Sequence, residues 1–388
     1  MRVLAITKIF PNSLEPLSSP FNRQQFKALA KHVDLTVLEA IPYVPGASRT
    51  GVPARAAKLA KLPDREVIEG IETVYMRQLY VPKVGLAVGI PLYLASLLPY
   101  RALAKSADVV LATWAYPDGA ASVLFAEGLG KPCVVKVHGS DVNVIAKKRT
   151  VRPLLARTLP RAAGLVAVSR PLGEELAAIG VPRDRIHLVK NGVDTALFRP
   201  RDKKGARREL RVPEDRPLVV FCGRLEPQKG VVDLLAAFER VRSRVPGAML
   251  ALVGTGVLEA DVAAKKAVLG DALHAPGARP LAEVATWMAA ADVFTLPSWA
   301  EGTPNVVLEA LASGRPAVGS DVGGIPDVLS DPRSGLVVPA RDPAALAEAL
   351  VAALGRTWDP EVVRATGPRS WTESGAELAA VLERVARP

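Results

Sequence analysis

The chain of 388 residues exceeds one ordinary hydrophobic core, and its 49% hydrophobic residues suffice for two packed α/β domains. Its two cysteines, Cys133 and Cys222, lie in apolar strand-like segments, which excludes a disulfide framework and a zinc-binding spacing and predicts buried, reduced thiols in a cytosolic protein. The net charge is +11, and residues 1–200 hold the whole excess, with 27 Lys and Arg against 15 Asp and Glu. A basic first half predicts an anionic partner: nucleic acid, a membrane surface or a phosphorylated acceptor.

Strand and helix patterns alternate through the first half of the chain. The first strand, Arg2–Thr7, is followed at once by Lys8, which is not typical of a signal peptide. Further strands are predicted at 34–39, 108–113, 132–137, 164–168 and 185–189, with helices between them, among them 23–31, 119–129 and 171–179. This β-α-β order predicts a parallel, doubly wound sheet.

Residues 84–100 are uncharged and mostly apolar. The segment is shorter than the ~20 residues of a membrane-spanning helix, and Pro91 and Pro99 interrupt it. We therefore expect a helix that is buried or faces lipid in part. With basic clusters at 55–61 and 147–149, it suggests that the first half binds an anionic membrane surface.

Turn residues and charges at 191–204 indicate a domain boundary. The alternation then restarts, with strands predicted at 217–222, 249–253, 292–296, 316–318 and 336–338, and helices at 231–245, 259–269, 283–290 and 343–354. The last pattern, at 371–385, is an amphipathic helix. The predicted domains are 1–195 and 196–355, with a C-terminal helical segment at 356–388.

The strand at 292–296 leads into a predicted helix that begins near Pro304. Thr303 is a favourable N-cap, Pro304 suits the first helical position, and Gly314 suits the C-terminal end. The free amide groups of such a helix start, about Asn305 and Val306, favour an anion such as phosphate.

Two carboxylates, Glu301 and Glu309, flank this helix start. One can hold a sugar hydroxyl and the other a ribose diol, with a diphosphate between them at the helix end. The spacing therefore favours a nucleotide-sugar site, although acidic residues also occur at helix starts simply because they stabilise the helix dipole.

The residues around these carboxylates resemble a known family. The run 296–326, which contains Glu301-Gly-Thr-Pro-Asn-Val-Val-Leu-Glu309, resembles the E-x7-E signature of retaining glycosyltransferases of family 4. The segments 223–230, 191–198 and 137–142 are similar to the family's phosphate-binding turn, its domain connection and its N-domain active-site loop. The resemblance implies the GT-B fold, in which two doubly wound Rossmann-like domains face each other across a cleft. It also implies that the C-terminal helical segment crosses back to the N-terminal domain.

The resemblance assigns donor-binding roles in the second domain. Glu309 is expected to bind the ribose hydroxyls of the donor, and Glu301 the sugar ring. Backbone contacts to sugar and phosphate are expected from Gly302, Thr303, Pro304, Asn305 and Val306, and Gly254 is placed near the base.

Two basic residues follow the predicted strand at 217–222, namely Arg224 and Lys229. The chain has no Asp-x-Asp pair to hold a divalent cation, so these fixed cations are expected to stabilise the leaving diphosphate without a metal or other cofactor. Arg224, Lys229, Glu301 and His138 are the predicted catalytic residues.

In the first domain, His138 follows a predicted strand and, by resemblance, contacts the donor sugar. Asp141, Tyr116 and Arg23 are placed on the acceptor side, with Asp141 orienting either the loop or the acceptor. The loop at 10–25 departs from the family's Gly-rich turn because it contains no glycine, so its phosphate contact stays unassigned; Ser18, Ser19, Asn22 and Arg23 are its candidate substitutes.

The expected function is retaining transfer of a sugar to a lipid-linked or polysaccharide acceptor in cell-envelope glycan biosynthesis, by a cytoplasmic protein peripheral to the inner membrane face. A GT-B enzyme with a small soluble acceptor is the alternative. Nucleic-acid binding is disfavoured because aromatic residues are only 5% and no recognition module is present. A dinucleotide-dependent oxidoreductase is disfavoured because no Gly-x-Gly-x-x-Gly follows the first strand.

Overall fold

The computed structural model describes residues 1–16, 18–44, 51–79, 85–367 and 369–387, with only the backbone described at 51–53 and 85–87. The chain divides into two compact units. Unit 1 comprises Met1–Asn191 and Trp371–Pro388, and unit 2 comprises Gly192–Ser370.

Unit 1 contains an eight-stranded sheet whose central strands are short, apolar and fully buried. The strands are β1 (Arg2–Thr7), β2 (Asp34–Tyr43), β3 (Arg65–Ile68), β4 (Ile71–Leu79), β5 (Val109–Thr113), β6 (Cys133–Lys136), β7 (Gly164–Ala167) and β8 (Ile186–Leu188). Their order is β3-β4-β2-β1-β5-β6-β7-β8, and all neighbours are parallel except β3 and β4. The strand order therefore reverses between β1 and β5, which is where doubly wound sheets bind ligands.

The hairpin of β3 and β4 was not predicted from the sequence. Its turn, Glu69-Gly70, has positive φ at both residues, as a tight two-residue hairpin requires. β3 lies at the sheet edge and alternates exposed with half-buried residues, so it lacks the apolar run that marks the central strands.

Among the described residues, seven α-helices accompany these strands before the unit boundary. They are α1 (Pro20–Leu29), α2 (Gly51–Leu59), α3 (Gly85–Leu97), α4 (Arg101–Ser106), α5 (Ala120–Glu127), α6 (Arg152–Thr158) and α7 (Arg170–Ile179). The predicted apolar helix at 84–100 corresponds to α3, and Val84 itself lies outside the described residues. Tyr93 and Leu97 of α3 are buried in the core, whereas Leu98 beyond it is 54% exposed. Within the described part of the chain, no helix is long and apolar enough to span a membrane.

Unit 2 contains a six-stranded, wholly parallel sheet. Its strands are β9 (Leu218–Cys222), β10 (Met249–Val253), β11 (Leu273–Gly277), β12 (Val293–Leu296), β13 (Ala317–Ser320) and β14 (Gly335–Val338), in the order β11-β10-β9-β12-β13-β14. Its helices are α8 (Lys203–Leu210), α9 (Val231–Arg244), α10 (Glu259–Leu269), α11 (Leu281–Ala290), α12 (Asn305–Ala312), α13 (Ile325–Val328), α14 (Pro343–Gly355) and α15 (Pro360–Ala365). The switch point of this sheet lies between β9 and β12.

The C-terminal segment differs from the prediction that residues 356–388 form one crossing element. Residues 356–370, including α15, belong to unit 2, and only the last helix, α16 (Trp371–Ala386), belongs to unit 1. Unit 1 also ends at residue 191 rather than 195. A Cβ atom on Gly375 of α16 would lie 2.7 Å from the Cβ atom of Ala28 in α1, so glycine permits the close packing of these two helices.

Both cysteines are buried and unpaired, as predicted. Cys133 lies in β6 and Cys222 ends β9.

Candidate active site

The loops after β9 and β12 meet at the switch point of unit 2. Gly230 ends the turn Pro227–Lys229 and has φ of 69°. A Cβ atom at this position would lie 1.9 Å from the carbonyl oxygen of Pro297, in the loop after β12. Trp299 N–H also donates to the Gln228 carbonyl at 2.8 Å. Glycine at 230 therefore lets the two loops touch.

This contact predicts that Gly230→Ala destabilises unit 2 by well over about 1 kcal/mol, because the new methyl group meets a backbone carbonyl as well as an unfavourable φ. Gly180→Ala is the matched control, since Gly180 is also in the left-handed region (φ 108°, ψ 11°) but a Cβ atom there meets nothing within 4 Å. Urea unfolding measures both variants. Equal losses of unfolding free energy would contradict the role given to the Pro297 contact.

Lys229 and Glu301, two predicted catalytic residues, form an ion pair across these loops. Ser298 donates a second hydrogen bond to the same carboxylate oxygen, Oε1, at 3.0 Å. The Glu301 side chain is 10% exposed and that of Lys229 is 22% exposed, so the pair is largely shielded from solvent. Because removing one partner of such a pair leaves a poorly solvated charge, the two side chains depend on each other.

Arg224, predicted to act with Lys229, has a different ion-pair partner in the structure. Its side chain is 72% exposed and pairs with Glu226 at 2.8 Å. It follows β9 as predicted, but no contact joins it to the pair of Lys229 and Glu301 among the described residues.

The helix after β12 begins one residue later than predicted. α12 starts at Asn305, its N-cap position is Pro304, and no side chain caps it, so the prediction of Thr303 as N-cap is wrong. The physical reason is a tight turn in which Asn305 N–H donates to the Thr303 carbonyl at 3.0 Å. Gly314 lies just beyond the helix end with φ of 70°, as predicted for a terminating glycine.

The backbone around Gly302 is held by the segment after β13. Gly324 N–H donates to the Gly302 carbonyl at 2.9 Å. A Cβ atom on Gly323 would lie 2.0 Å from the Glu301 carbonyl oxygen. The position of residues 301 and 302 thus depends on close backbone packing, which suits a preorganised site.

Glu309 lies in the second turn of α12, and its charge influences the thiol of Cys222 at the end of β9. Burial raises the pKa of Glu309 to about 8, because a low-dielectric environment disfavours the ionised form. Among the described residues its carboxylate has no hydrogen-bond or ion-pair partner. The residue is half-buried, so its carboxylate remains available to a ligand, and a ribose diol supplies two donors.

Gly254 directly follows β10 and lies between two predicted site segments. Its N–H donates to the Gly277 carbonyl at 3.0 Å, and a Cβ atom there would lie 1.8 Å from the Gly223 carbonyl oxygen. The structure therefore brings Gly254 together with Gly223 and Gly277, and gives this glycine a packing reason in addition to any contact with the base.

In unit 1, His138 follows β6 and packs in an aromatic cluster. Its ring lies 5.0 Å from the Phe21 ring and 6.2 Å from the Trp114 ring, measured between centroids. Burial and the neighbouring Lys136 hold the pKa of His138 well below its usual range, so the imidazole is neutral near pH 7.

Asp141 holds the loop that carries His138. Its buried carboxylate accepts hydrogen bonds from the backbone N–H groups of Ala115, His138 and Gly139, at 2.9, 3.1 and 2.8 Å. Asp141 therefore orients the loop, one of the two roles predicted for it, and is too buried to meet an acceptor directly.

Lys136 is fully buried beneath this loop, and burial lowers its pKa to about 7 against the opposing effect of Asp141. Its Nζ donates to Gln25 of α1. Gln25 in turn donates to Ser374 Oγ of α16 at 3.1 Å, and Ser374 donates to the Lys190 carbonyl at 2.7 Å. A chain of buried polar side chains thus joins the strand before His138 to Ser374 and Lys190. These two residues lie within a few positions of the points in the sequence where unit 1 ends and resumes.

Two residues predicted for the acceptor side have other roles. Tyr116 is 2% exposed and its hydroxyl lies against Gly89 of α3, so it is a core residue. Arg23 pairs with Glu69 in the β3–β4 turn, beside Lys27. The sequence placed Tyr116 after a strand and Arg23 near the start of a helix, but it did not reveal the partners of either side chain.

Sequence reasoning gave no role to Lys8 and Trp114, two side chains at the switch point of unit 1. Lys8, directly after β1, lies 3.2 Å from the fully buried Asp118 and 5.1 Å from the Trp114 ring centroid. Burial raises the pKa of Asp118, and the charge of Lys8 opposes this rise. The available signal was that Lys8 directly follows β1 and Trp114 directly follows β5, because parallel strands bring the residues after them to one edge of the sheet.

The glycine-free loop at 10–25 is ordered by side-chain amides. Asn12 accepts hydrogen bonds from Leu14 and Glu15 N–H at 3.2 and 2.8 Å, and donates to Glu39 at 3.4 Å. Asn22, one of the candidate substitutes, donates to the Ile9 carbonyl at 2.9 Å. Ser18 donates to the Phe10 carbonyl at 3.2 Å. These hydrogen bonds stabilise the loop itself.

Solved structures show the same architecture over the whole chain. HepE of Anabaena in complex with UDP superposes with a TM-score of 0.73 and 17% identity, covering 99% of this chain and 100% of that one. Sucrose-phosphate synthase of Thermosynechococcus elongatus has a TM-score of 0.69 and 22% identity, covering 100% and 96%. With two Rossmann-like units in one chain, the fold is that of the GT-B glycosyltransferases.

Family models and curated relatives give the particular family. Residues 19–197 match the model described as Glycosyltransferase Family 4, and residues 216–356 match Glycosyl transferases group 1. The putative teichuronic acid biosynthesis glycosyltransferase TuaC of Bacillus subtilis is 30% identical over 378 residues, which cover 93% of this chain and 92% of the relative. D-inositol 3-phosphate glycosyltransferase of Segniliparus rotundus is 36% identical over 201 residues, covering 49% and 43%. The chain belongs to glycosyltransferase family 4, and the protein is a glycosyltransferase.

Proposed function

We propose that this glycosyltransferase transfers a sugar, with retention of configuration and without a metal, from a nucleoside diphosphate to a lipid-linked or polysaccharide acceptor of the cell envelope. One observation carries the donor assignment: Lys229, Glu301 and Glu309 collect where β9 and β12 end, at the switch point of the unit 2 sheet. Open α/β sheets bind ligands at this place. HepE, which shares the fold, has been solved with UDP and with UDP-glucose.

Each side chain has a chemical role in the proposal. Glu309 accepts hydrogen bonds from the ribose diol, since its carboxylate has no protein partner among the described residues. Lys229 stabilises the negative charge that grows on the departing diphosphate, and Arg224 can turn from Glu226 to assist. Glu301 holds Lys229 in place and accepts a hydroxyl of the donor sugar. The start of α12 adds the partial positive charge of its helix dipole.

The proposed reaction breaks the bond between the anomeric carbon and the diphosphate oxygen and forms a bond from that carbon to the acceptor oxygen on the same face. The acceptor hydroxyl loses its proton to the departing diphosphate. Retention is tested by NMR assignment of the anomeric configuration of the product, and an inverted product contradicts this course.

Metal independence is proposed from the available donor groups. The sequence has no Asp-x-Asp pair, and two fixed cations follow β9. Within the described residues no group of three or more His, Cys, Asp or Glu side chains could hold a metal ion. The diphosphate charge then falls to Lys229 and Arg224.

The acceptor class is proposed from the relatives that match this chain. TuaC, which matches nearly the whole chain, is named for teichuronic acid biosynthesis. A small soluble acceptor is the second candidate, favoured by the 36% identity to D-inositol 3-phosphate glycosyltransferases, although that match covers only half of this chain.

A thermal-shift panel with UDP, GDP, ADP and CMP, each with and without EDTA, tests the donor assignment. A ligand at a hundred times its Kd stabilises the folded protein by roughly 2.7 kcal/mol. We expect one diphosphate to raise Tm and EDTA to leave that shift unchanged. If no nucleotide raises Tm, the donor assignment fails, and if EDTA abolishes the shift, metal independence fails.

Membrane association is proposed from exposed cations beside exposed apolar groups on unit 1. Val144 is 45% exposed and precedes the exposed Lys148 and Arg149, which have no ion-pair partner among the described residues. Arg55 and Lys58 contribute less, because both pair with Glu15. Such a surface binds anionic lipid through charge and shallow insertion.

We expect the protein to float with anionic vesicles at low salt and to be released at high salt. Reversing the charge of Lys148 and Arg149 to glutamate should abolish flotation. Lys204→Glu with Arg240→Glu, two exposed cations of unit 2, is the control and should leave flotation intact. No flotation of the wild type at low salt refutes the proposal.

A further inference from the structure

Trp114, directly after β5, has a backbone conformation that non-glycine residues rarely adopt. Its φ and ψ are 87° and 124°. The conformation is held by two hydrogen bonds, from Trp114 N–H to the Lys136 carbonyl at 2.9 Å and from Gly119 N–H to the Trp114 carbonyl at 2.8 Å. Strained residues of this kind persist where the surrounding structure imposes them, and they concentrate at ligand sites. Trp114 is therefore a candidate ligand-contact residue, and its indole ring is packed between His138 and Lys8.

The indole ring lies against His138, with the ring planes 28° apart. Trp114 Nε1 and His138 Nε2 are both buried, and neither has a hydrogen-bond partner among the described residues. A buried polar atom without a partner is costly. The rings of Trp287 and His274 show the same feature inside unit 2, but Trp114 and His138 follow β5 and β6 at the end of the sheet where doubly wound sheets bind ligands, and this position points to a ligand.

The chemistry of the two atoms limits what can bind them. Indole N–H only donates a hydrogen bond, and the neutral imidazole nitrogen either accepts or donates one. A hydroxyl group both accepts and donates, so a single hydroxyl can satisfy both atoms. Aromatic faces also pack against the apolar C–H faces of a sugar ring. A charged ligand is less suited, because the nearby Lys8 is already neutralised by Asp118.

We propose that Trp114 is a sugar-binding and specificity-determining residue that, together with His138, binds one hydroxyl of a sugar ring. The inference rests on the proposed function, since it requires a sugar substrate, and it adds a residue that neither the family motifs nor the sequence assigned. Donor and acceptor sugars share this chemistry, and the experiment separates them.

The direct test observes the indole N–H groups by NMR in protein labelled with ¹⁵N-tryptophan. The chain has five tryptophans, and single Trp→Phe variants assign the signals of interest. The nucleoside diphosphate that raises Tm in the thermal-shift panel is added first, then its conjugates with glucose, galactose and mannose, and in separate samples each free hexose at high concentration. Trp299 lies two residues before Glu301, and its Nε1–H donates a hydrogen bond to Asp233 at 2.6 Å. Its signal therefore reports binding at unit 2. Trp287 is the control, because its Nε1 is also buried without a described partner beside His274.

We expect the Trp114 signal to shift with a sugar but not with the nucleoside diphosphate, while Trp287 stays in place. A shift with a nucleotide sugar alone identifies a donor sugar, and a shift with a free hexose identifies an acceptor sugar. If Trp299 responds to the nucleoside diphosphate but Trp114 responds to no sugar, the Trp114 proposal is overturned and the proposed function stands. If no nucleotide raises Tm and neither signal responds to any ligand, both are overturned.

Kinetics give a second readout. Trp114→Phe keeps an aromatic ring but removes the N–H together with the five-membered ring of the indole, so kcat/KM for the glycosyl donor or acceptor should fall by at least about 3- to 10-fold, the loss expected from one neutral hydrogen bond alone. Affinity for UDP should not change. A deoxy sugar that lacks the bound hydroxyl should reduce the wild type by a similar factor and the variant by none, which distinguishes lost recognition from a general structural defect. Equal reduction of both proteins contradicts the proposal.

Discussion

Replacing Lys229 by methionine is expected to lower kcat for glycosyl transfer roughly 100- to 1000-fold, the range found when a preorganised charge-stabilising donor is removed. The reason is that Lys229 pairs with Glu301, whose carboxylate is also held by Ser298, in the loop after β9, where the departing diphosphate is proposed to lie. Methionine keeps the aliphatic length of lysine. The variant should therefore retain the unit 2 sheet, as measured by circular dichroism, while the unpaired Glu301 lowers the midpoint of urea unfolding.

Lys265→Met provides a matched control. Lys265 also pairs with a glutamate of unit 2, Glu239, and its side chain is similarly shielded, but it lies in α10 rather than after a strand end. We expect wild-type kcat from this variant. Lys229→Met together with Glu301→Gln removes both charges and separates loss of catalysis from the cost of an unpaired Glu301. Wild-type turnover in a folded Lys229→Met variant would rule out the role assigned to this residue.

Nucleoside diphosphate binding is expected to strengthen as pH rises toward the pKa of Glu309, which is about 8, and to level off above it. The sign follows from the proposed contact. If the ribose diol donates to an ionised carboxylate, the acid must lose its proton before binding, so affinity falls by about tenfold for each pH unit below the pKa. Isothermal titration calorimetry in buffers of different ionisation enthalpy measures both the affinity and the proton released.

Glu309→Gln removes this titration. The variant should bind the nucleotide about 10- to 100-fold more weakly than the wild type above pH 8, the loss of hydrogen bonds to a charged group, and its affinity should not vary with pH in this range. Asp261→Asn, an exposed carboxylate in the first turn of α10, is the control and should leave the wild-type profile unchanged. An affinity that decreases with rising pH would show that Glu309 binds the diol in its protonated form.

The central strands of both units could be read from the sequence within one or two residues. β1 and β10 have the predicted bounds, because short apolar runs between helices are typical of parallel strands buried on both faces. β2 extends to Tyr43, four residues past the prediction, since its second half pairs with β4, which no local pattern announced. Edge elements such as β3 lack an apolar run and depend on a distant partner.

The donor side of the site was more accessible to sequence reasoning than the other unit. Glu301, Glu309 and Lys229 lie in contiguous motifs whose spacing is set by one strand, one turn and one helix. The structure added the ion pair between Lys229 and Glu301, which are 72 residues apart in sequence, and moved the helix start from Pro304 to Asn305. Local spacing predicts which residues are near a strand end but not which of them bind each other.

By itself the sequence determined the two-unit α/β class and the family, and it predicted which residues follow β9 and β12, because those features are encoded in local periodicity and short motifs. Only the tertiary structure decided that α16 completes unit 1, that Tyr116 is a core residue, that Lys136 is buried, and that Trp114 lies against His138. These outcomes depend on contacts between segments far apart in the chain. Burial and pairing are properties of the folded surroundings, and no local pattern specifies them.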